Sequence, residues 1–408
     1  IFQGSTGITN ITIPNSLTNL GIQAFYDTNE PKSIVINNPL AASGEALKSM
    51  FISLNNLDSF TLDYAGPIQD YAGIVLSNRN STPVSLILGP NITMIGINAF
   101  PGSKITSVII PNSVTKIGGS AFKETNLTSV IIPNSVTKLD DGCFASCTLL
   151  TSVTFADNSI LKTIGANCFY NCPFVSIVIP NSVTIIDYQA FVYCTNLSSI
   201  TLSNNLTSIA YGAFSGTTSL NELIIPGSVT TIGEGVFGGS GIKIVRMNEG
   251  ITSIEIYAFY RCQSLTTVYC PTSLQIIKNR AFANCSNLKN VIFPFRSNLK
   301  ELDTYCFAEC YNLDTFVIPS SLQIIGYSPL FNSRVKNLTI NSSISISKVW
   351  ELGIVKANTE TVTLDFFGSV PPAVLANMTL KKIRISSKIS VIEDWAFSTT
   401  YITSILFP

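Results

Sequence analysis

Ten cysteines and no histidine bound the chemistry open to this 408-residue chain. Three cysteine pairs read C-F-x-x-C: Cys143/Cys147, Cys168/Cys172 and Cys306/Cys310. Their spacing resembles that of metal ligands, but a structural zinc site gathers four ligands compactly, and no histidine or compact four-ligand cluster accompanies these pairs. Zero histidine also removes the Ser-His and Cys-His nucleophile pairs. The acid pairs Asp140–Asp141 and Glu393–Asp394 are the remaining candidates for paired-carboxylate chemistry. Both fall at outer turns, where solvated charge is the usual explanation. Gly233-Glu-Gly-Val-Phe-Gly238 matches the dinucleotide fingerprint G-x-G-x-x-G, which works only where a strand feeds a helix N-terminus. No catalytic residue, cofactor site or metal site is assigned, and the chain is not expected to be an enzyme.

The elements that position these residues come from a repeat. Four copies read SVIIPNSVTKIGGSAF (107–122), SVIIPNSVTKLDDGCF (129–144), SIVIPNSVTIIDYQAF (176–191) and ELIIPGSVTTIGEGVF (222–237). The central apolar residue of each strand-like stretch marks the period, at Ile11, Ile34, Phe60, Leu86, Val108, Val130, Val153, Ile177, Ile200, Leu223, Val245, Val268, Val291, Phe316, Leu338, Val362, Ile383 and Ile405. Most of these lie 22 to 25 residues apart. A fixed period of this length is the signature of a solenoid, in which each unit buries its apolar face against its neighbours. The expected fold is therefore an α/β or mainly β solenoid, a right-handed superhelix of about 18 coils. It forms a single domain over 1–408.

Within one unit, the period of two in a strand turns Leu127, Val130 and Ile132 inward and Ser129 and Ile131 outward. Pro133 lacks an N–H and ends the ladder. Val136 and Leu139 make a second, shorter inward pair, and Phe144 plugs the far side. The same closing phenylalanine is expected at Phe2, Phe25, Phe100, Phe122, Phe169, Phe191, Phe214, Phe237, Phe259, Phe282, Phe307, Phe331 and Phe397. Units at 37–90 and 340–378 depart from the pattern. There, 44–51 and 347–355 read as helical, because apolar residues recur at helical spacing.

The cysteines keep register with this unit. Six lie three residues after the closing Phe (Cys147, Cys172, Cys194, Cys262, Cys285, Cys310), three just before it (Cys143, Cys168, Cys306), and Cys270 falls on a strand. They are expected in small inward slots that Ala or Gly fills elsewhere, as at Ala121, Ala190 and Gly216, with each thiol behaving as a small hydrophobe. Cysteines in the same slot of adjacent coils, such as Cys147 with Cys172 or Cys285 with Cys310, would also come within reach of a disulfide. Ten N-x-S/T sequons occur, at Asn10, Asn80, Asn91, Asn126, Asn196, Asn205, Asn284, Asn337, Asn341 and Asn377. Most follow from the repeat itself, which writes N-L-T-S ahead of its strands.

The pattern L-x-x-V-x-I-P-x-S-V-x-x-I-x-x-x-A-F-x-x-C resembles the BspA-like leucine-rich repeat family, found in surface proteins of anaerobic bacteria and of parasitic protists. Its clearest copies lie within 105–332. The resemblance implies a curved solenoid with a parallel sheet on the concave face, a role in adhesion or macromolecular binding at the cell surface or outside the cell, and no catalytic activity.

Composition fits that class. Apolar residues make up 46% of the chain and charged residues 12%, with Lys+Arg and Asp+Glu at 24 each. Nucleic acid is a poor partner, since phosphate neutralisation needs clustered basic side chains. No run of 18 apolar residues is present to span a membrane. Both ends fall inside a repeat unit, which reads as a segment of a longer array.

A solenoid binds through the outward residues of its strands. In the N-terminal half these are mostly Ser in one column and β-branched residues in the other. The face changes around Glu222, Ile224, Ile244, Arg246, Tyr269 and Ile292, where an aromatic and an arginine stand among aliphatics, the composition of a binding hot spot. The expected function is a non-catalytic binding or adhesion scaffold for a protein or other macromolecule. The alternative is a structural repeat protein that self-associates into a filament or intracellular assembly.

Overall fold

The computed structural model describes every residue except 1, 3, 18–22, 26, 27, 29, 30, 40–46, 48–55, 71, 74, 75, 77–82, 342–351, 354–358, 373, 374, 376 and 377. Apart from Leu47, Leu352 and Gly353, the two segments expected to be helical lie outside the described residues. By internal contacts the chain divides into two compact units, Ile1–Asn205 and Leu206–Pro408.

The fold is a solenoid of parallel strands. All eighteen marks fall within strands, from Asn10–Ile13 to Ile405–Leu406. Among the described residues a short second strand accompanies fewer of them, and the turns number about 15 rather than 18. Alternation sets the strands: in Ser129–Ile132 the exposed Ser129 and Ile131 flank the buried Val130, and Ile132 is buried behind them. β-Branched residues suit this half-buried pleat. Pro133 follows, and its carbonyl accepts the Val136 N–H in a turn that leads to the second strand, Lys138–Leu139.

In Ile1–Asn205, five first strands from Asn10–Ile13 to Ile105–Ile109 form one parallel sheet. Its register stacks Ile11 on Ile34, Ile34 on Phe60 and Phe60 on Leu86. Ser129–Ile132 then pairs with Ser152–Phe155, and Ser176–Val178 pairs with Ser199–Thr201. In Leu206–Pro408, nine first strands from Glu222–Ile225 to Ile405–Leu406 form a continuous parallel sheet.

The closing phenylalanines are the opposite wall of the core. Phe100, Phe122, Phe144, Phe169 and Phe191 are fully buried and stack at centroid distances of 5.5, 5.4, 5.7 and 5.4 Å. Phe214, Phe237, Phe259, Phe282 and Phe307 stack at 5.6, 5.1, 4.9 and 5.1 Å. Each ring sits in a turn whose residues two before and two after it take positive φ, as at Tyr257 (58°) and Arg261 (58°) around Phe259. A left-handed conformation costs a non-glycine residue about 1–2 kcal/mol. It is held here by hydrogen bonds from one coil to the next, with the N–H groups of Tyr257, Phe259 and Arg261 donating to the carbonyls of Asn279, Ala281 and Ala283.

Two expectations are corrected. Phe331 is not a closing residue: it is 43% exposed, while Leu330 is fully buried. The Phe307 N–H donates to Pro329, the residue before Leu330, as each such N–H donates to the residue before the next plug. The aromatic was misassigned by one position because an apolar pair, Leu330-Phe331, fills the place of A-F. Asp140 is not a solvated turn charge either. Its carboxylate is largely buried and bridges Lys116 and Lys138 on adjacent coils, at 2.9 Å each.

Candidate functional site

The strands at Glu222–Ile225, Ile244–Met247, Thr267–Tyr269 and Asn290–Ile292 are consecutive in one sheet. Their register places Glu222 opposite Ile244, Ile224 opposite Arg246, Arg246 opposite Tyr269, and Tyr269 opposite Ile292. All six predicted residues are thereby brought together on the outward face, each flanking a buried mark. Glu222 and Arg246 sit on a diagonal, and the Arg246 Nε donates to the Glu222 carboxylate at 2.9 Å. The same guanidinium lies over the Tyr269 ring, 4.1 Å from its centroid. The hydrogen bond to Glu222 raises the Arg246 pKa, so the group is permanently charged.

An exposed ion pair adds little to the fold, because water screens it and ordering two long side chains costs entropy. Its structural worth is positional: Glu222 holds one edge of the guanidinium and Tyr269 holds its face. The planar cation and the ring are therefore presented in a fixed geometry, with Ile224 (54% exposed) and Ile292 as apolar neighbours.

A seventh residue belongs to this edge. Phe295, three residues beyond the strand Asn290–Ile292, is 98% exposed and is followed by exposed Arg296. The sequence carries a signal for it. From the first-strand mark to the second-strand apolar residue is nine positions in most units, as from Val130 to Leu139, but eleven from Val291 to Leu302. The two added residues push Phe295 outward, and the strand keeps only one paired position with the next, Asn290 opposite Thr315.

The cysteines form no disulfide: all ten thiols are free and buried. The slot three residues after the plug is not filled by Ala or Gly elsewhere. Its other occupants are Ser5, Thr28, Ser103, Thr125, Thr217, Ser240, Ser333 and Thr400, each a small hydroxyl side chain, though the buried Ser103 hydroxyl has no partner among the described residues. The reason is a carbonyl. The thiols of Cys147, Cys172 and Cys194 donate to the carbonyls of Phe122, Phe144 and Phe169 on the preceding coil, at 3.0, 3.1 and 3.0 Å. Cys262, Cys285 and Cys310 repeat this with Phe237, Phe259 and Phe282. The slot just before the plug takes three more thiols, and there Cys143 and Cys168 touch, with Sγ atoms 3.3 Å apart. Burial pushes the Cys147 thiol up to about 11 and the Cys194 thiol to about 12.

Among the described residues, no group of three or more His, Cys, Asp or Glu side chains is placed to hold a metal ion. No helix among them is long and apolar enough to cross a membrane. Asp140 and Asp141 do not form a reactive carboxylate pair, since Asp140 is spent on two lysines. Gly233 to Gly238 lies on the turn around Phe237, with no helix beside it.

The model of the BspA-type leucine-rich repeat region matches residues 1–72, 78–161, 162–252, 230–349 and 358–408. The chain belongs to that family. Among solved structures, this BspA-type repeat protein is similar to a leucine-rich repeat protein from Bacteroides ovatus. They are 20% identical with a TM-score of 0.63, and the match covers 98% of this chain and 92% of that one. It is also similar to one from Eubacterium ventriosum, at 22% identity and a TM-score of 0.44, covering 68% and 83%. The first likeness supports the fold, and neither carries a function across. No curated protein matches the chain in sequence.

Proposed function

We propose that this BspA-type repeat protein is a non-catalytic scaffold that binds a macromolecular partner, a protein above all, through the outward face of its first-strand sheet. The observation that carries the reading is the held cation and ring: Arg246 clamped between the Glu222 carboxylate and the Tyr269 face, with Ile224, Ile244 and Ile292 around them. Arginine and tyrosine dominate binding hot spots because each offers a large, amphipathic surface, and here both are oriented before a partner arrives. Placement at the cell surface, or outside the cell, is part of the same proposal and is supported by the family.

The test is the double substitution Arg246→Glu with Tyr269→Ala. Both side chains are partly exposed, so the fold should be retained, as judged by circular dichroism and an unshifted melting temperature. Binding to proteins captured from a surface or matrix extract should weaken at least thirtyfold, which corresponds to about 2 kcal/mol. Unchanged capture would overturn the proposal.

A second reading, self-association, rests on a different observation. Ile109 (80% exposed) and Ile131 (63%) continue an apolar column from Ile87 on the first-strand face of Ile1–Asn205. Bare aliphatics in a row mark interaction surfaces. A sedimentation profile that stays monomeric at tens of micromolar protein would remove this reading.

A further inference from the structure

The first-strand face of Ile1–Asn205 is broken between Ile105–Ile109 and Ser129–Ile132 and again between Ser152–Phe155 and Ser176–Val178, and the second break lines a cleft. Ser152–Phe155 pairs with the strand before it and Ser176–Val178 with the strand after it, but the two do not pair with each other. Their second strands remain paired, Thr163 opposite Ile185 and Ile164 opposite Ile186. The coils are thus joined on one side and parted on the other, and the parting is a cleft of 590 Å³.

The cause is again a two-residue expansion. Val153 to Ile164 spans eleven positions, like Val291 to Leu302, and in both units the strand loosens from the one that follows. Here Phe155 stands where the repeat has its apolar residue before proline, and Ala156 replaces the proline. The free Ala156 N–H donates to Ile132, so the strand gains a hydrogen bond on its near side while losing the ladder on its far side.

The chemistry of the cleft follows from which groups are left over. Thr151 donates backward to Thr128, and Ile179 donates forward to Thr201. Ala156 donates backward to Ile132, so by the alternation of a strand the N–H and C=O groups of Ser152 and Thr154 are turned to that side, those of Val153 and Phe155 face the cleft from one wall, and those of Ser176 and Val178 face it from the other. No direct hydrogen bond joins the two walls along these strands. Side chains add hydroxyls and amides from Ser159, Asn158 and Asn181, while Phe155 and Val178 supply apolar surface. No charged residue lines the cleft.

We propose that this cleft between Ser152–Phe155 and Ser176–Val178 is a binding site for a neutral, hydroxyl-rich ligand, namely a sugar ring at the end of an uncharged glycan. A sugar hydroxyl both donates and accepts, which matches walls that expose N–H and C=O alternately. The absence of charge disfavours phosphate, sulfate or carboxylate ligands. A ring also has an apolar face, which Phe155 and Val178 can cover. The volume falls in the range of small-ligand sites. This site is separate from Arg246 and Tyr269, so it stands or falls independently of the partner-binding proposal.

The test uses the whole chain on an array of neutral oligosaccharides ending in glucose, galactose, mannose or N-acetylglucosamine. Hits are titrated while the amide signals of Val153, Phe155, Ser176 and Val178 are followed by NMR. The expected result is saturable binding that shifts those four amides. Thr154→Val, which removes a hydroxyl at constant shape, should weaken it about tenfold, as one lost hydrogen bond of ~1.4 kcal/mol would. Val178→Arg should abolish binding by filling the mouth, and Tyr269→Ala should leave it unchanged. Both cleft positions are exposed, so the variants should fold. Failure of every neutral glycan to bind would overturn the proposal, as would binding that Val178→Arg leaves intact. Shifts of the same amides on adding an uncharged Ser/Thr-rich peptide, with none from glycans, would overturn the sugar assignment.

Discussion

The thiol of Cys194 donates to the main-chain carbonyl of Phe169, 25 residues earlier and one coil back, at 3.0 Å. That carbonyl also accepts the Cys172 N–H of its own coil. A buried carbonyl has two lone pairs, and here both are used. The slot therefore selects for a small side chain with a donor, which explains why Cys, Ser and Thr alternate in it and why Ala does not.

Cys194→Ser should consequently be tolerated better than Cys194→Ala. Serine keeps a donor at the same place, as Ser333 does toward Phe307. Alanine leaves a buried acceptor underused, and the difference should be about 1–2 kcal/mol in urea unfolding. Equal stabilities would refute the donor requirement.

Phe259 stacks on Phe237 at 5.1 Å and on Phe282 at 4.9 Å. Truncation to Ala should cost roughly 3–5 kcal/mol. Because a solenoid is stabilised by nearest neighbours, the loss should appear first as faster hydrogen exchange in the coils next to Phe259, with coils distant in Leu206–Pro408 less affected. Uniform acceleration would argue against this.

All ten thiols should resist alkylation in the folded protein, since burial keeps the reagent from reaching them. At pH 8, iodoacetamide mass spectrometry should find none modified until denaturant is added. The same burial makes stability fall with alkali. A thiol ionises near 8.5 in the unfolded chain but at about 11 for Cys147 and about 12 for Cys194 in the folded one. The unfolded state therefore binds fewer protons above pH 8.5, and the stabilisation present below that pH is lost as pH rises toward 12. Replacing both cysteines with serine should flatten the alkaline limb of the urea midpoint.

Asp140 governs the acid limb. Burial opposes its ionisation, but hydrogen bonds from Lys116 and Lys138 outweigh this and hold its carboxyl below the usual range. A lowered folded pKa contributes stability above about pH 4, the unfolded value, and that contribution disappears as pH falls through the folded one. Asp140→Asn should lower stability at pH 7 and lessen its fall on acidification, read from urea midpoints between pH 2 and 7. An unchanged acid limb would show that the two lysines do not stabilise the carboxylate.

The sequence by itself determined the period, the eighteen inward marks and the stacked phenylalanine wall. These depend on local rules: strand alternation, proline's missing donor and the demand of each coil for an apolar plug. It also brought Glu222, Arg246 and Tyr269 onto three consecutive strands, because register follows once the period is known. What the tertiary structure decided were the features set by the neighbouring coil. Leu330 rather than Phe331 fills the core because the hydrogen bonds of Phe307 select the position. Asp140 is drawn in by lysines on two coils, and the cysteine slot requires a donor because a carbonyl from the preceding turn lies above it. The cleft at Ser152 opens because two extra residues, silent in composition, let one strand lean toward its predecessor and away from its successor.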